Sequence, residues 1–308
     1  MQWADMPDAV RAEVQARLGS NVVAAHSQTG GFSPGVAARL QLADGSRAFV
    51  KAVSSVPNAD SPAMHRREAV VAAALPASAP APRFRFAYDD REWIVLAFDD
   101  VDGRSPELPW RADELERVLA AVHTLALELT PSPIVLDSAV VTLAALFGGW
   151  QKIADDASLE SALPVATRRR LGDLVALEAE WPAAVQGESL VHLDLRADNI
   201  LVSGERVYIV DWPAASIGAP WIDLVAMLPS VAMQGGPDPE ALWRSHPLRE
   251  GVDDERVDAF LAAIAGYFAH AAPLPDPPGL PTLRAFQAAQ GERANAWLAR
   301  RRGWADLR

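Results

Sequence analysis

Three oxygen-bearing side chains recur around apolar runs in the second half of the chain. Val191-His192-Leu193-Asp194-Leu195-Arg196-Ala197-Asp198-Asn199-Ile200-Leu201-Val202 sets a polar loop between two such runs, and Val207-Tyr208-Ile209-Val210-Asp211-Trp212 ends a third on a carboxylate. Asn199 follows Asp194 by five residues, and Asp211 follows Asn199 by twelve. Mg2+ takes a few hard oxygen ligands and keeps water and phosphate oxygens for the rest. Asn199 and Asp211, on adjacent strand ends, supply oxygens of that kind. Asp194, displaced along the loop, is suited to accept the proton of an attacking hydroxyl. These are the components of kinase-type phosphoryl transfer.

A second signal comes from composition. Of 28 basic residues only Lys51 and Lys152 are lysine, so a lysine kept against the bias needs a reason. Lys51 lies in the strand-like run Ala48-Phe49-Val50-Lys51-Ala52-Val53.

The elements that would position these groups can be read along the chain. Val10, Val14 and Leu18 are spaced for a helix over 5–19. Strands are expected at 21–27, 36–42 and 47–53, the last two joined by an Asp44-Gly45 turn. A helix over 62–75 stops at Pro76, and strands near 83–88 and 92–98 complete a small sheet. Asp99-Asp100-Val101-Asp102-Gly103 then breaks the pattern and marks a hinge. Amphipathic helices are expected over 112–129, 139–155 and 165–185. Short strands follow at 189–192, 200–203 and 206–210, with Gly204 turning the last pair, and the chain is helical again from 221. The expected fold class is α+β: a smaller unit over 1–98 with an antiparallel sheet and one helix, which the resemblance described below makes the nucleotide-binding lobe, a hinge at 99–104, and a larger, mostly helical unit over 105–308.

These motifs, in this order, resemble those of the aminoglycoside phosphotransferase family, small-molecule kinases with a bilobal, protein-kinase-like fold. The resemblance spans roughly residues 20–235. It implies ATP or GTP as phosphoryl donor and Mg2+ as cofactor. It implies that Thr29-Gly30-Gly31-Phe32-Ser33-Pro34-Gly35 is the nucleotide loop, with Gly31, Phe32 and Ser33 offering amides and a hydroxyl to phosphate. By the same resemblance Lys51 holds the α- and β-phosphates, Glu68 holds Lys51, and the segment 97–101, Phe98 within it, takes the base through its backbone. Asn199 and Asp211 bind the metal, Asp194 is the catalytic base, and His192 braces the loop. Asp223 fits a buried carboxylate that braces a loop, or a charge at a helix N-terminus, better than a metal ligand. The sequence departs from the family at Leu193, where glycine is common, and at Trp212-Pro213, which replaces the Phe-Gly of protein kinases.

The stretch between Asp211 and Asp223 is too short for the segment on which a protein kinase lays a peptide, which points to a compact hydroxyl acceptor. Acidic residues at 155, 156, 160, 238 and 253–255 would suit a cationic acceptor such as an aminoglycoside, and Trp110, Trp150, Trp221 and Trp243 a stacked ring. A metabolite such as choline, homoserine or a sugar is the alternative acceptor, and a nucleotide-binding pseudokinase the alternative role. The remaining composition narrows the class. With 308 residues, half of them hydrophobic, and a net charge of −12, the chain is expected to be globular and not to bind nucleic acid. It has no cysteine, which excludes disulfides and thiolate chemistry. Neither a signal peptide nor a membrane span is apparent, so a cytoplasmic monomer or homodimer is expected.

Overall fold

The computed structural model describes residues 1–28, 35–56, 61–277 and 282–304. By its contacts the chain falls into two compact units, Met1–Pro106 with Asp198–Ala215, and Glu107–Ala197 with Ser216–Arg308. The contiguous blocks drawn from sequence differ from this grouping, which takes 198–215 out of the second block and joins it to the first.

The first unit begins with α1 (Asp8–Leu18), followed by β1 (Val22–Ser27), β2 (Val36–Leu42), β3 (Arg47–Ser54), α2 (Ser61–Ala74), β4 (Phe84–Asp89) and β5 (Trp93–Asp99). The strands form one antiparallel sheet in the order β1-β2-β3-β5-β4. Alternation sorts its faces. Val36, Ala38, Leu40 and Leu42 of β2 pack with Trp3, Met6, Val10 and Val14 on one side. Val53, Ile94, Leu96 and Phe98 pack with Ala72 of α2 on the other. Trp93 to Phe98 are buried without interruption because β5 is covered on both faces. Gly45 turns the β2–β3 hairpin at φ +86°, a conformation that costs glycine nothing. Gly35 answers a closer constraint: a Cβ there would stand 2.3 Å from the Ala52 carbonyl oxygen, so only glycine lets the chain enter β2 against β3.

The second unit contains α3 (Ala112–Glu128), α4 (Ala139–Leu143), α5 (Gly149–Ala154), α6 (Ala157–Ala162), α7 (Val165–Arg169), α8 (Leu171–Ala179), α9 (Trp181–Ala184) and β6 (Ser189–Val191). Beyond the segment that joins the first unit come β9 (Ser216–Gly218), α10 (Ile222–Met233), α11 (Pro239–Ser245), α12 (Asp254–Ala271) and α13 (Leu283–Arg301). Helix α12 is the centre of this unit, buried along most of its length and packed on α5, α8, α9 and α13. The helices expected over 139–155 and 165–185 are each broken. Gly148 at φ +84° separates α4 from α5, and Pro182 in the first turn of α9 restarts the chain after α8. The pairing of β6 with β9 was not anticipated from sequence. Between them, β7 (Ile200–Ser203) and β8 (Arg206–Ile209) form the expected hairpin, turned at Gly204, within the first unit. It is tied there by Arg104 bridging Val202 and by the Ile209 amide donating to the Pro80 carbonyl at 2.7 Å. Among the described residues no helix is long and apolar enough to cross a membrane.

Candidate active site

Strand β3 puts Lys51 on the sheet face that carries α2. Its ammonium donates to Glu68 Oε1 at 2.7 Å and to Asp211 Oδ1 at 2.8 Å. Glu68, one turn past the buried His65 on α2, is itself buried. Burial works against the charge on Lys51, yet Glu68 and Asp211 outweigh it and hold the amine's pKa above its ordinary value. Lysine, glutamate and aspartate from three distant stretches of sequence thus make one cluster.

Asp211 reaches that cluster through an unusual backbone. It stands just past β8 at φ +71°, a left-handed conformation that a residue other than glycine adopts only when its surroundings enforce it. Two contacts flank it. Trp212 is buried and its indole donates to the Ile209 carbonyl at 3.1 Å, while Arg67 of α2 donates to the Ala215 carbonyl at 2.8 Å.

The hairpin register brings Asn199 to the same end. Ile200 pairs with Ile209, and the Val210 amide donates to the Asn199 carbonyl at 3.0 Å. A buried carboxamide and a carboxylate at one hairpin end form a donor set of hard oxygens. That set fits a divalent cation which completes its shell with water and phosphate. Among the described residues no three His, Cys, Asp or Glu side chains converge on a metal site.

Asp194 belongs to the second unit, on the loop after β6. The loop is held by Asp223, buried in the first turn of α10. Its Oδ2 accepts the His192 amide at 2.7 Å and its Oδ1 the Leu193 amide at 2.8 Å. Burial pushes this carboxyl upward against the opposing pull of His192 and the two amides. The His192 ring, fully buried, accepts the Asp194 amide on Nδ1 at 3.2 Å, the bracing role expected of it. Leu193 sits between them at φ +64°, so leucine occupies the left-handed position for which glycine is suited. Arg196 lies 3.3 Å from Asp194 Oδ1, a partner that sequence reasoning passed over although it is two residues away.

Gly31, Phe32 and Ser33 lie outside the described residues. Phe98 is a core residue of β5, its ring edge-on to Phe84 at 5.4 Å, so only its backbone is left for a base. Trp110, Trp150, Trp221 and Trp243 are all buried and serve as core. Several of the acidic residues have structural tasks. Asp156, Asp238 and Asp253 cap helices. Asp254 and Glu255 pair with Arg301 and Arg302 at 2.9 and 2.8 Å.

Comparison with known proteins bears on the fold and the family. Among solved structures, an aminoglycoside phosphotransferase from Alicyclobacillus acidocaldarius subsp. acidocaldarius is 16% identical with a TM-score of 0.59, over 92% of either chain. A choline/ethanolamine kinase family protein from Mesorhizobium loti is 15% identical with a TM-score of 0.62, over 97% of either chain. The macrolide 2'-phosphotransferase of Brachybacterium faecium is 20% identical with a TM-score of 0.54, over 94% of this chain and 97% of that one. These likenesses establish a protein-kinase-like fold. No curated protein matches the sequence. The family model of the APH phosphotransferase enzyme family matches residues 29–272, a span that takes in Lys51, Glu68, Asp194, Asn199 and Asp211, and the protein belongs to that family.

Proposed function

We propose that the protein transfers the terminal phosphoryl group of ATP or GTP to a hydroxyl of a small molecule. The observation that carries this reading is Lys51 held between Glu68 and Asp211. A fixed, charged ammonium is what polyphosphate oxygens need, and the glutamate keeps it extended. Asn199 and Asp211 would hold Mg2+, which supplies neutralisation of the phosphate charge. The nucleotide loop would be 29–35, with the backbone of 97–101, Phe98 included, at the base.

Asp194 is the proton acceptor in this reading. The acceptor oxygen bonds to the terminal phosphorus, the bond to the bridging oxygen of the diphosphate breaks, and the hydroxyl proton passes to the Asp194 carboxylate. Five residues of chain keep Asp194 within about 18 Å of Asn199. The acidic residues of the sequence point first to a cationic acceptor such as an aminoglycoside. Five of the acidic residues that would suit a polycation, Asp156, Asp238, Asp253, Asp254 and Glu255, serve as caps or arginine partners, and this favours the alternative, a hydroxylated metabolite.

The test is nucleotide consumption with Mg2+ and ATP or GTP over a panel of hydroxylated antibiotics and metabolites. Asp194→Asn should abolish turnover and spare nucleotide binding. Asp211→Asn should weaken Mg-nucleotide binding itself. Turnover that survives Asp194→Asn removes that residue from the mechanism. Nucleotide binding with no turnover on any acceptor supports the pseudokinase role.

A further inference from the structure

The surroundings of Asp194 within its own unit differ in charge from what a cationic acceptor requires. Arg196 pairs with Asp194 and lies over the Phe286 ring, its guanidinium carbon 5.8 Å from the centroid. Phe286 is in the first turn of α13. Arg284, two residues earlier, donates from Nη1 to Gln287 Oε1 at 2.8 Å and from Nε to the Pro275 carbonyl at 3.2 Å. Both of these partners are neutral, so they orient the guanidinium without cancelling its charge. Gln287 passes the arrangement on, donating from Nε2 to the Tyr267 hydroxyl at 3.0 Å. Tyr267, on α12, is the residue that links the group. Its phenol lies in the field of Arg284 and Arg196 and of Asp194 alike. Burial raises its pKa, which leaves the O–H in place as a donor at neutral pH, and the bond from Gln287 occupies the oxygen as acceptor. Asp276 is a further carboxylate here, and its Oδ1 accepts the Arg284 amide at 3.2 Å at the start of α13.

We propose that the acceptor recognised beside Asp194 is a hydroxylated carboxylate, with Arg284 and Arg196 facing its carboxylate and the Tyr267 hydroxyl orienting it. The proposal rests on the reading of Asp194 as proton acceptor and adds a substrate class to it. The chemistry is complementary on each count. A planar guanidinium matches a carboxylate in two parallel hydrogen bonds, and the phenol adds a neutral donor. Arg196, engaged by the incoming carboxylate, would release the Asp194 oxygen for the hydroxyl. A polyamine would meet two guanidinium groups at the same place. The terminal phosphate of the nucleotide is the other anion such arginines could serve, and the experiment separates the two.

The experiment pairs hydroxycarboxylates with neutral counterparts: D-glycerate with glycerol, D-gluconate with sorbitol, and shikimate with inositol. Kanamycin serves as the polycation. Turnover with Mg-ATP and calorimetric binding are measured for the wild type, Arg284→Gln and Arg284→Lys. At least one carboxylate should be preferred over its neutral counterpart by about tenfold or more, the size of a charge-assisted contact. Arg284→Gln should erase that preference with Mg-ATP affinity unchanged, and Arg284→Lys should restore part of it. Preference for kanamycin or the neutral compounds overturns the proposal, as does no discrimination or a preference indifferent to Arg284→Gln. Loss of Mg-ATP affinity in Arg284→Gln also overturns it and assigns the arginine to the nucleotide. A wild type that binds no Mg-ATP defeats the phosphotransfer reading instead, and the calorimetric comparison of the paired compounds still reports on this site.

Discussion

Lys51 and Asp194 are each positioned by a buried carboxylate, yet the two carboxylates work differently. Glu68 grips Lys51 charge to charge, and Asp211 completes the grip from a third stretch of chain. Asp223 works through the backbone: it takes the amides of His192 and Leu193 and so fixes the chain from which Asp194 projects. In the first region position depends on opposite charges staying opposite. In the second it depends on two N–H groups having one acceptor and on a leucine held at positive φ. A charge cluster tolerates rearrangement if its charges are removed together. A backbone clamp does not, because its donors belong to every possible side chain.

The largest effect should therefore come from Asp223→Ala. It leaves two buried or half-buried amides without their acceptor, at a cost of about 3 kcal/mol, or a Tm lower by about 5–10 °C. Turnover should fall with it while Mg-nucleotide binding persists. Thermal melts and calorimetry check both. A variant as stable as the wild type would remove the clamp from the account.

The charge cluster should behave otherwise. Lys51→Met strands Glu68 in a buried site and should cost about 2 kcal/mol, less than a fully buried pair because the lysine is 16% and Asp211 45% exposed. Adding Glu68→Leu should recover most of that loss, since the unpaired charge goes with it. Urea unfolding of the two singles and the double gives the coupling. Nucleotide binding should stay absent throughout. Additive losses would mean no coupling between the two residues and would remove the stranded Glu68 charge from the account.

These two regions were also unequally legible in the sequence. The Asn199–Asp211 pairing followed from two apolar runs with a glycine between them, because hairpin register leaves little choice for the residues at the strand ends. The β2–β3 hairpin was legible for the same reason at Asp44-Gly45. Lys51 and Glu68 became partners only through resemblance; nothing in a spacing of seventeen residues brings them together. The grouping of 198–215 with the first 106 residues escaped a reading in contiguous blocks, because it depends on contacts such as Ile209 to Pro80 that no local pattern announces. The helix breaks at Gly148 and Pro182 were visible as residues but were outweighed by amphipathic spacing. Arg196 and Tyr267 were missed because charge and aromaticity alone do not say which helix faces which loop.

His65 offers a smaller test, confined to the charge cluster. The ring is buried on α2, its Nδ1–H donating to the Ser61 carbonyl at 3.1 Å. Burial lowers its pKa, Lys51 lowers it further, and Glu68 and Asp211 pull the other way. The folded state therefore prefers the neutral ring. Its contribution is whole above the ordinary histidine pKa of 6.5 and is lost as pH falls below it toward the folded value. His246 and His270 are lowered too, but they are shared with a His65→Gln variant. Melting curves between pH 7.5 and about 5 should thus fall more steeply for the wild type than for His65→Gln. Parallel curves would show that this histidine does not titrate with folding.

The smallest effect should come from Leu193→Gly, and its size is what makes it informative. At an ordinary half-buried position, replacing leucine by glycine removes side-chain burial and adds backbone freedom, and both destabilise. At φ +64° a third contribution opposes them, because leucine is strained there by about 1–2 kcal/mol and glycine is not. The three should nearly cancel, leaving stability within about 1 kcal/mol of the wild type. Leu193→Val should fall on the other side, since a β-branched residue fits this conformation worse than leucine does. Chemical denaturation resolves the pair. If glycine costs as much as at an unstrained site, the loop is not held in the left-handed conformation, and Asp223 cannot be the clamp that holds it.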